Sequence, residues 1–270
     1  MKKGDYMMNE QDFLASYNAS AYNTPKGLPV DICMFTITSE KKQTVRKILP
    51  TRKVKILLIK RKGHPYKDMW ALPGGFSKEE ESLYEAAKRE LKEETNIGDD
   101  VHIEQLKTVY YPGRDKRGWM PTVVYFALVN EKYLKNIYAA DDASDAKLFT
   151  VEEALSMPLA FDHHDIIQEA YDKIQEKMLT TSIAKEFLEK EFTIAELLQV
   201  LQVVVPEFKV EKSNFIRKMV STETRKGLLE EIRLENGEHK MSDRNSQREA
   251  RLYQFSEHIP KVSIYNSTLF

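Results

Sequence analysis

Apolar residues recur along this chain with two different periods, and the change from one to the other divides it. Val30 to Ile37 and Val54 to Ile59 are short runs rich in β-branched residues and predict strands, with a charged, flexible connection from Ser39 to Lys53. Ile103 to Tyr111 and Thr122 to Val129 predict two more strands, joined through the turn-forming stretch Pro112 to Gly118. Between the two strand pairs, Ser82 to Glu94 holds neither Gly nor Pro, and Ser82 followed three residues later by Glu85 is a capping-box signature. A helix from about Leu83 to Glu94 follows. Asp141 to Lys147 reads as a polar loop, Leu148-Phe149 as a short strand, and Val151 to Leu155 as part of a helix. A further helix from about His164 to Lys177 closes a unit of mixed α/β character.

Beyond about Leu179 the helical period takes over. Ile194 to Leu201 has apolar residues at helical spacing, with Thr193 and Glu196 placed as a second capping box. Pro206-Glu207-Phe208 breaks this helix, and Lys212 to Val220 predicts a basic one. Leu228 to Leu234 and Arg251 to Phe255 read as strands around a polar segment that carries Lys240, Arg244 and Arg248. Helix, turn, helix and a hairpin with a basic tip form a winged helix-turn-helix pattern. The predicted division is residues 1–178 and 179–270.

The candidate chemistry lies on the first helix. At about 100° per residue, Glu90, Glu93 and Glu94 share an arc of about 100°, while Tyr84, Ala87 and Leu91 line an adjoining apolar stripe. Carboxylates three and four residues apart repel one another, and a hard divalent cation reverses that sign. Oxygen ligands of this kind suit Mg2+, with Mn2+ as a substitute. Arg89 stands one turn before Glu93 and one turn after Glu85, placed to neutralise and orient a carboxylate. Lys88 to Glu94 alone would read as a solvated charged face. The fixed spacing of Gly75, Glu81, Arg89-Glu90-Leu91 and Glu93-Glu94, after Ala71-Leu72-Pro73-Gly74, argues otherwise.

That spacing resembles the Nudix box, with Asn96 where the family has glycine. Asparagine is the next residue to adopt the left-handed helix end that this glycine provides. The resemblance implies an α/β/α sandwich with a mixed sheet and hydrolysis of a nucleoside diphosphate linked to another moiety. It assigns Glu90 and Glu94 as metal ligands with Glu93 assisting, gives Glu93 and Arg89 catalytic roles, and groups Gly74, Gly75, Phe76 and Glu81 at the substrate. A general base is expected from the loop Asp141 to Asp145, with Asp142 preferred and Asp145 second. Phe76, Tyr110, Tyr111 and Trp119 are aromatic surfaces for a base to stack on or, more often for such residues, parts of the core or of an interface.

Together with the second unit, the chain resembles Nudix-related regulators of NAD metabolism and their catalytic relatives. The phrases Leu159 to Asp165, Asn214-Phe215-x-Arg217-Lys218 and Arg251-Leu252-Tyr253-x-Phe255 fit that resemblance. It implies ADP-ribose as substrate or signal, a homodimer, and double-stranded DNA as a partner, with Ser213, Asn214, Arg217 and Lys218 on the recognition helix and Arg244 and Arg248 on the wing. From Phe208 to Phe255 there are 11 Lys and Arg against 8 Asp and Glu, a modest excess suited to phosphate contacts.

Composition limits the setting. The 270 residues carry a net charge of −1, which excludes a strongly basic chain but says nothing of local patches. The one cysteine, Cys33, leaves no intrachain disulfide to form and suits a reducing compartment. The N-terminal residues lack an apolar signal segment, and no run reaches the ~18 apolar residues that a spanning helix needs. A cytoplasmic enzyme away from membranes is the expectation.

Overall fold

A computed structural model of the protein describes residues 27–40, 48–97, 101–134, 146–245 and 248–257, together with Gln11 and Ser16. Seven strands form one mixed sheet: β1 (Pro29–Glu40), β2 (Thr51–Lys60), β3 (Trp70–Ala71), β4 (Gly74–Phe76), β5 (His102–Val109), β6 (Thr122–Val129) and β7 (Ala146–Thr150). The central pair β1 and β6 is parallel, and the other pairings are antiparallel. β1 and β2 remain paired out to Glu40 and Thr51, so the stretch expected to be a flexible connection contributes to both strands. Cross-strand hydrogen bonding there satisfies backbone groups that the charged side chains left without a sequence signal.

Alternation along the central strands builds two cores, because successive side chains of a strand point to opposite faces. Val30, Ile32 and Met34 of β1 and Val123, Tyr125 and Ala127 of β6 pack with Ala86, Ala87 and Leu91 of helix α1 (Leu83–Thr95). Cys33, Phe35 and Ile37, with Val124, Phe126 and Leu128, pack on the other face against α2 (Val151–Ser156) and α3 (His163–Thr180). The result is the α/β/α sandwich. Tyr84 departs from expectation: it is 45% exposed, and Ala86 takes the core position instead.

The C-terminal part stacks on the α3 face and shares its core. α4 (Ile194–Val204) and α5 (Lys212–Met219) form the helix-turn-helix. β8 (Leu229–Glu231) pairs with β11 (Tyr253–Phe255), while β9 (Met241–Ser242) and β10 (Ala250–Arg251) make the wing. The expected strand from Arg251 to Phe255 is thus split, its two halves serving different partners. Ile194, Leu197 and Leu201 join the same buried cluster as Phe35 and Ile167, so the winged helix-turn-helix has no core separate from the sandwich. Polar contacts reinforce the junction: Tyr171 Oη and Gln175 Nε2 donate to the Val204 carbonyl at 3.0 and 2.8 Å, and Gln199 Nε2 donates to the Pro50 carbonyl at 2.6 Å.

Candidate active site

Local sequence chemistry sets α1 in place. Ser82 accepts from the Glu85 N–H and Glu85 reaches back to the Ser82 N–H, the full capping box. At the other end Asn96 adopts φ 54°, ψ 23°, and its N–H closes on the Lys92 carbonyl at 2.8 Å. Asparagine therefore takes the left-handed position.

β4 lies against this helix. A Cβ on Gly74 would collide with the Val30 carbonyl of the paired β1, and one on Gly75 would meet the Glu90 carboxylate of α1. The glycines bring backbone to within contact of the carboxylate row, the use of glycine where chain must approach closely.

Arg89 organises that row. Its Nη2 donates to Glu81 Oε1 at 2.6 Å and to the Phe76 carbonyl at 3.0 Å, and Nε donates to Glu81 Oε2 at 3.0 Å. Its Nη1 reaches Glu90 Oε1 at 2.6 Å and Glu93 Oε2 at 3.4 Å. The bidentate grip of Arg89, with the Lys78 N–H, holds the Glu81 carboxyl down at about 2. Glu81 thus meets the helix from the loop before it, as a clamp on Arg89.

Glu94 differs from its neighbours. Burial raises its pKa to about 8, aided by the negative charges of Glu90, Glu93 and Asp31 and opposed by the Gly74 N–H. Its Oε2 is buried and has no hydrogen-bond partner. A carboxylate oxygen withdrawn from water without a donor is costly unless a cation meets it. Among the described residues no three acidic or histidine side chains already form a metal cage, because Glu90 and Glu93 are turned onto Arg89. Glu90, Glu93 and Glu94 nonetheless offer a hard, all-oxygen donor set with one oxygen unpaired, which fits Mg2+ supplemented by waters and phosphate oxygens.

A buried polar network without any local sequence signal supports this site from below. Arg114 on the β5–β6 loop donates through Nε to Asp162 Oδ2 at 2.8 Å and through Nη2 to Asp31 Oδ2 at 3.4 Å. Thr122 Oγ1 donates to Asp31 at 2.8 Å, and Asp31 is paired in register with Gly74. His163 Nδ1 accepts from the Leu72 N–H at 2.9 Å, and burial pushes its pKa down. The accepting Nδ1 requires the neutral tautomer with its proton on Nε2, which faces Asp31 Oδ1 at 3.8 Å. His163 is therefore a structural histidine, and His164 lies exposed beside Asp165.

The aromatic residues are placed at the surface. Phe76, Tyr110, Tyr111 and Trp119 are 43%, 48%, 49% and 50% exposed, which takes them out of the core and leaves a stacking or an interface role open to them. Their strand-end and loop positions take them off the sheet's packed faces. Asp142 and Asp145 lie outside the described residues.

In the C-terminal part, Ser213, Asn214, Arg217 and Lys218 are exposed on α5, while Phe215 of the same helix is buried. Arg217 donates to Asn214 Oδ1 at 2.9 Å. Arg248 is also exposed. Arg244 has another engagement: its Nε and Nη2 donate to Glu196 at 2.8 and 2.6 Å, fastening the wing to the start of α4.

Comparison with known proteins agrees with this architecture. Residues 41–170 match the NUDIX domain. The chain is 34% identical over 251 residues to the ADPR responsive transcriptional repressor NtrR of Acinetobacter baylyi, covering 92% of this chain and 89% of that protein. An ADP-ribose pyrophosphatase of Methanocaldococcus jannaschii is 44% identical over 117 residues, which span 43% of this chain and 64% of that protein. Among solved structures, Shewanella oneidensis NrtR complexed with a 27mer DNA aligns with a TM-score of 0.64 at 31% identity, over 85% of this chain and 93% of that one. Capped helix, glycine strand and carboxylate row all lie within residues 41–170, and the chain belongs to the Nudix family, homologous to the NtrR and NrtR regulators.

Proposed function

We propose that this protein is a Mg2+-dependent pyrophosphohydrolase acting on a nucleotide sugar, with ADP-ribose, cleaved to AMP and ribose 5-phosphate, as the first substrate to test. The observation that carries the reading is Glu94: a buried carboxylate with an unpaired oxygen, beside Glu90 and the side-chain-free surface of Gly74 and Gly75. Perturbed carboxylates of this kind cluster at functional sites, where a bound cation offsets their cost. The ADP-ribose pyrophosphatase relative supports the substrate class.

Glu90 and Glu94 would hold the metal, with Glu93 assisting. Bound Mg2+ supplies Lewis-acid polarisation of the pyrophosphate and lowers the pKa of an attacking water. Arg89 keeps Glu90 and Glu93 oriented and, through Glu81 and the Phe76 carbonyl, ties α1 to β4. The glycine backbone lets a diphosphate lie close to the carboxylates. Asp142 is proposed as the base that takes the proton from water, and unchanged turnover across pH in Asp142→Asn would remove that assignment.

The second reading, an ADP-ribose-responsive DNA-binding regulator, draws on the match over 92% of the chain to NtrR and on the exposed polar face of α5. The two readings are compatible on one chain. On this reading residues 179–270 are the DNA-binding unit, Ser213, Asn214 and Arg217 face the major groove, and the protein acts as a dimer in the cytoplasm. Phosphate and AMP release from nucleotide sugars, dinucleotides and nucleoside triphosphates with Mg2+ tests the first reading, and ADP-ribose is expected to head the series. Mobility shift on promoters of NAD-related genes, with and without ADP-ribose at stated salt, tests the second. No turnover of any substrate leaves the regulator alone; no shift at low salt leaves the enzyme alone.

A further inference from the structure

Beside β4, three cations converge on one group of aromatic rings. The Arg61 guanidinium lies 4.8 Å from the centroid of Phe161, and that of Arg117 lies 5.6 Å from Phe161 and 5.7 Å from Phe76. Lys116 Nζ sits 4.6 Å from the Tyr66 ring, which packs edge-on against Phe161 at 4.8 Å. Like charges so close repel, and the aromatic faces offset only part of that cost. Burial and then Arg117 itself push the Arg61 pKa down.

Asp115 and Asp31 offset part of this charge, but Asp31 is shared with Arg114, so two carboxylates face four cations. Asp115 accepts from Arg117 Nε and Nη2, leaving Nη1 outside the pair. Arg61 spends Nε on the Pro65 carbonyl at 2.9 Å. Among the described residues neither Arg61 nor Lys116 has an ion pair. Tyr66 and Phe161 both hold positive φ, 61° and 54°, a conformation unfavourable for bulky side chains that persists only when surroundings impose it. Phe76 connects this cluster to the box: its ring meets Arg117 and its carbonyl accepts from Arg89.

We infer that Arg61, Lys116 and Arg117 form a phosphate-recognising face beside Gly74–Phe76, separate from the carboxylates of α1, that fixes the phosphate groups of the substrate. Planar guanidinium groups with N–H edges unpaired among the described residues suit phosphate oxygens, and the ammonium adds a point charge. The inference rests on the nucleotide-sugar reading only for the ligand's identity, since the face would take inorganic pyrophosphate as well.

Calorimetric binding of inorganic pyrophosphate, ribose 5-phosphate and ADP-ribose to the full chain, in wild type and in Arg61→Gln and Lys116→Gln, tests it. Each substitution is expected to weaken binding by about 10–100-fold, the range for a hydrogen bond to a charged group. Arg61→Lys should recover part of the loss, KM for ADP-ribose should rise with kcat little changed, and the Mg2+-induced rise in Tm should be retained. Sensitivity toward pyrophosphate identifies the bridging diphosphate as the occupant, and sensitivity toward ribose 5-phosphate alone identifies the sugar-borne phosphate. Wild-type affinity for all three ligands in both Gln variants, with circular dichroism unchanged, would overturn the face while leaving the enzyme reading intact. Wild type that binds pyrophosphate through these residues but neither binds nor cleaves ADP-ribose would support the face and sink the nucleotide-sugar reading.

Discussion

Glu94 on α1 and Glu196 on α4 are both glutamates drawn out of water on capped helices, yet their surroundings push them in opposite directions. Glu196 is 3% exposed and fully satisfied: it accepts from Arg244 twice, from Asn245 Nδ2 at 2.7 Å, and from the Thr193 N–H at 2.7 Å. Burial opposes its ionisation, but these donors hold its pKa below the ordinary 4.5. Glu94 is less buried as a residue, but its Oε2 is shut off from water without a donor, and its pKa rises to about 8. A buried carboxylate whose partners are all present belongs to the architecture. One whose partners are missing belongs to a ligand.

The largest effect that could break this contrast is at Glu94. Glu94→Gln is expected to lower Mg2+-dependent turnover by several orders of magnitude, measured as AMP release. The same change should stabilise the metal-free protein. With a raised folded-state pKa, the native protein keeps a proton that the unfolded chain has already released, so stability falls as pH rises from 4.5 toward 8. Gln removes that slope, and Tm in excess chelator at pH 7 should rise by roughly 2–4 °C for each kcal/mol recovered. Mg2+ should raise Tm in wild type and fail to do so in the variant. Near-normal activity in Glu94→Gln would refute the site.

Glu196 carries the opposite expectation. Glu196→Ala should destabilise the protein by about 2–4 kcal/mol in urea unfolding at neutral pH, combining a lost cap with lost charge-assisted hydrogen bonds. It should leave turnover per folded molecule unchanged. The sign of the pH dependence also reverses: a depressed pKa gives stabilisation that is present above 4.5 and lost as pH falls through the folded value. The difference between wild type and variant should therefore shrink on acidification, whereas that between wild type and Glu94→Gln grows from pH 4.5 toward 8. A variant as stable as wild type at pH 7 would remove the structural role of the Arg244 pair and return Arg244 to the wing surface as a free DNA contact.

The sequence disclosed these two glutamates unequally. The row Glu90, Glu93, Glu94, its capped helix and the left-handed Asn96 all lie within a few residues of one another, so spacing alone carried them. The Thr193–Glu196 capping box was legible for the same reason, but its bond to Arg244, 48 residues on, was not. Arg114 is 83 residues from Asp31 and 48 from Asp162, and nothing near any of the three announces the network. The cation face has the same origin, since Arg61, Lys116, Phe161 and Phe76 meet only once the sheet has formed. Tyr84 shows the converse error: helical periodicity placed it on the apolar stripe, while tertiary packing chose Ala86.

The smallest expected effect concerns Asn96, which ends the helix that carries Glu94. At φ 54° a residue with a Cβ is strained, asparagine less than most, and glycine not at all. Asn96→Ala should cost about 1 kcal/mol, and Asn96→Gly should be neutral to within about 1 kcal/mol, because relieved strain is offset by the greater freedom of glycine in the unfolded chain. Both are readable by urea unfolding. Turnover is the more telling measurement, because the cap closes on Lys92 and so fixes the last turn, where Glu93 and Glu94 sit. If the asparagine does what glycine would do, the Gly variant keeps the wild-type rate and the carboxylate row is already in its working position. A rise of tenfold or more, equivalent to about 1.4 kcal/mol of barrier, would mean that this helix end holds the row back. The contrast between a waiting glutamate and a satisfied one would then describe a site restrained from catalysis, as suits a protein that reads its ligand more than it consumes it.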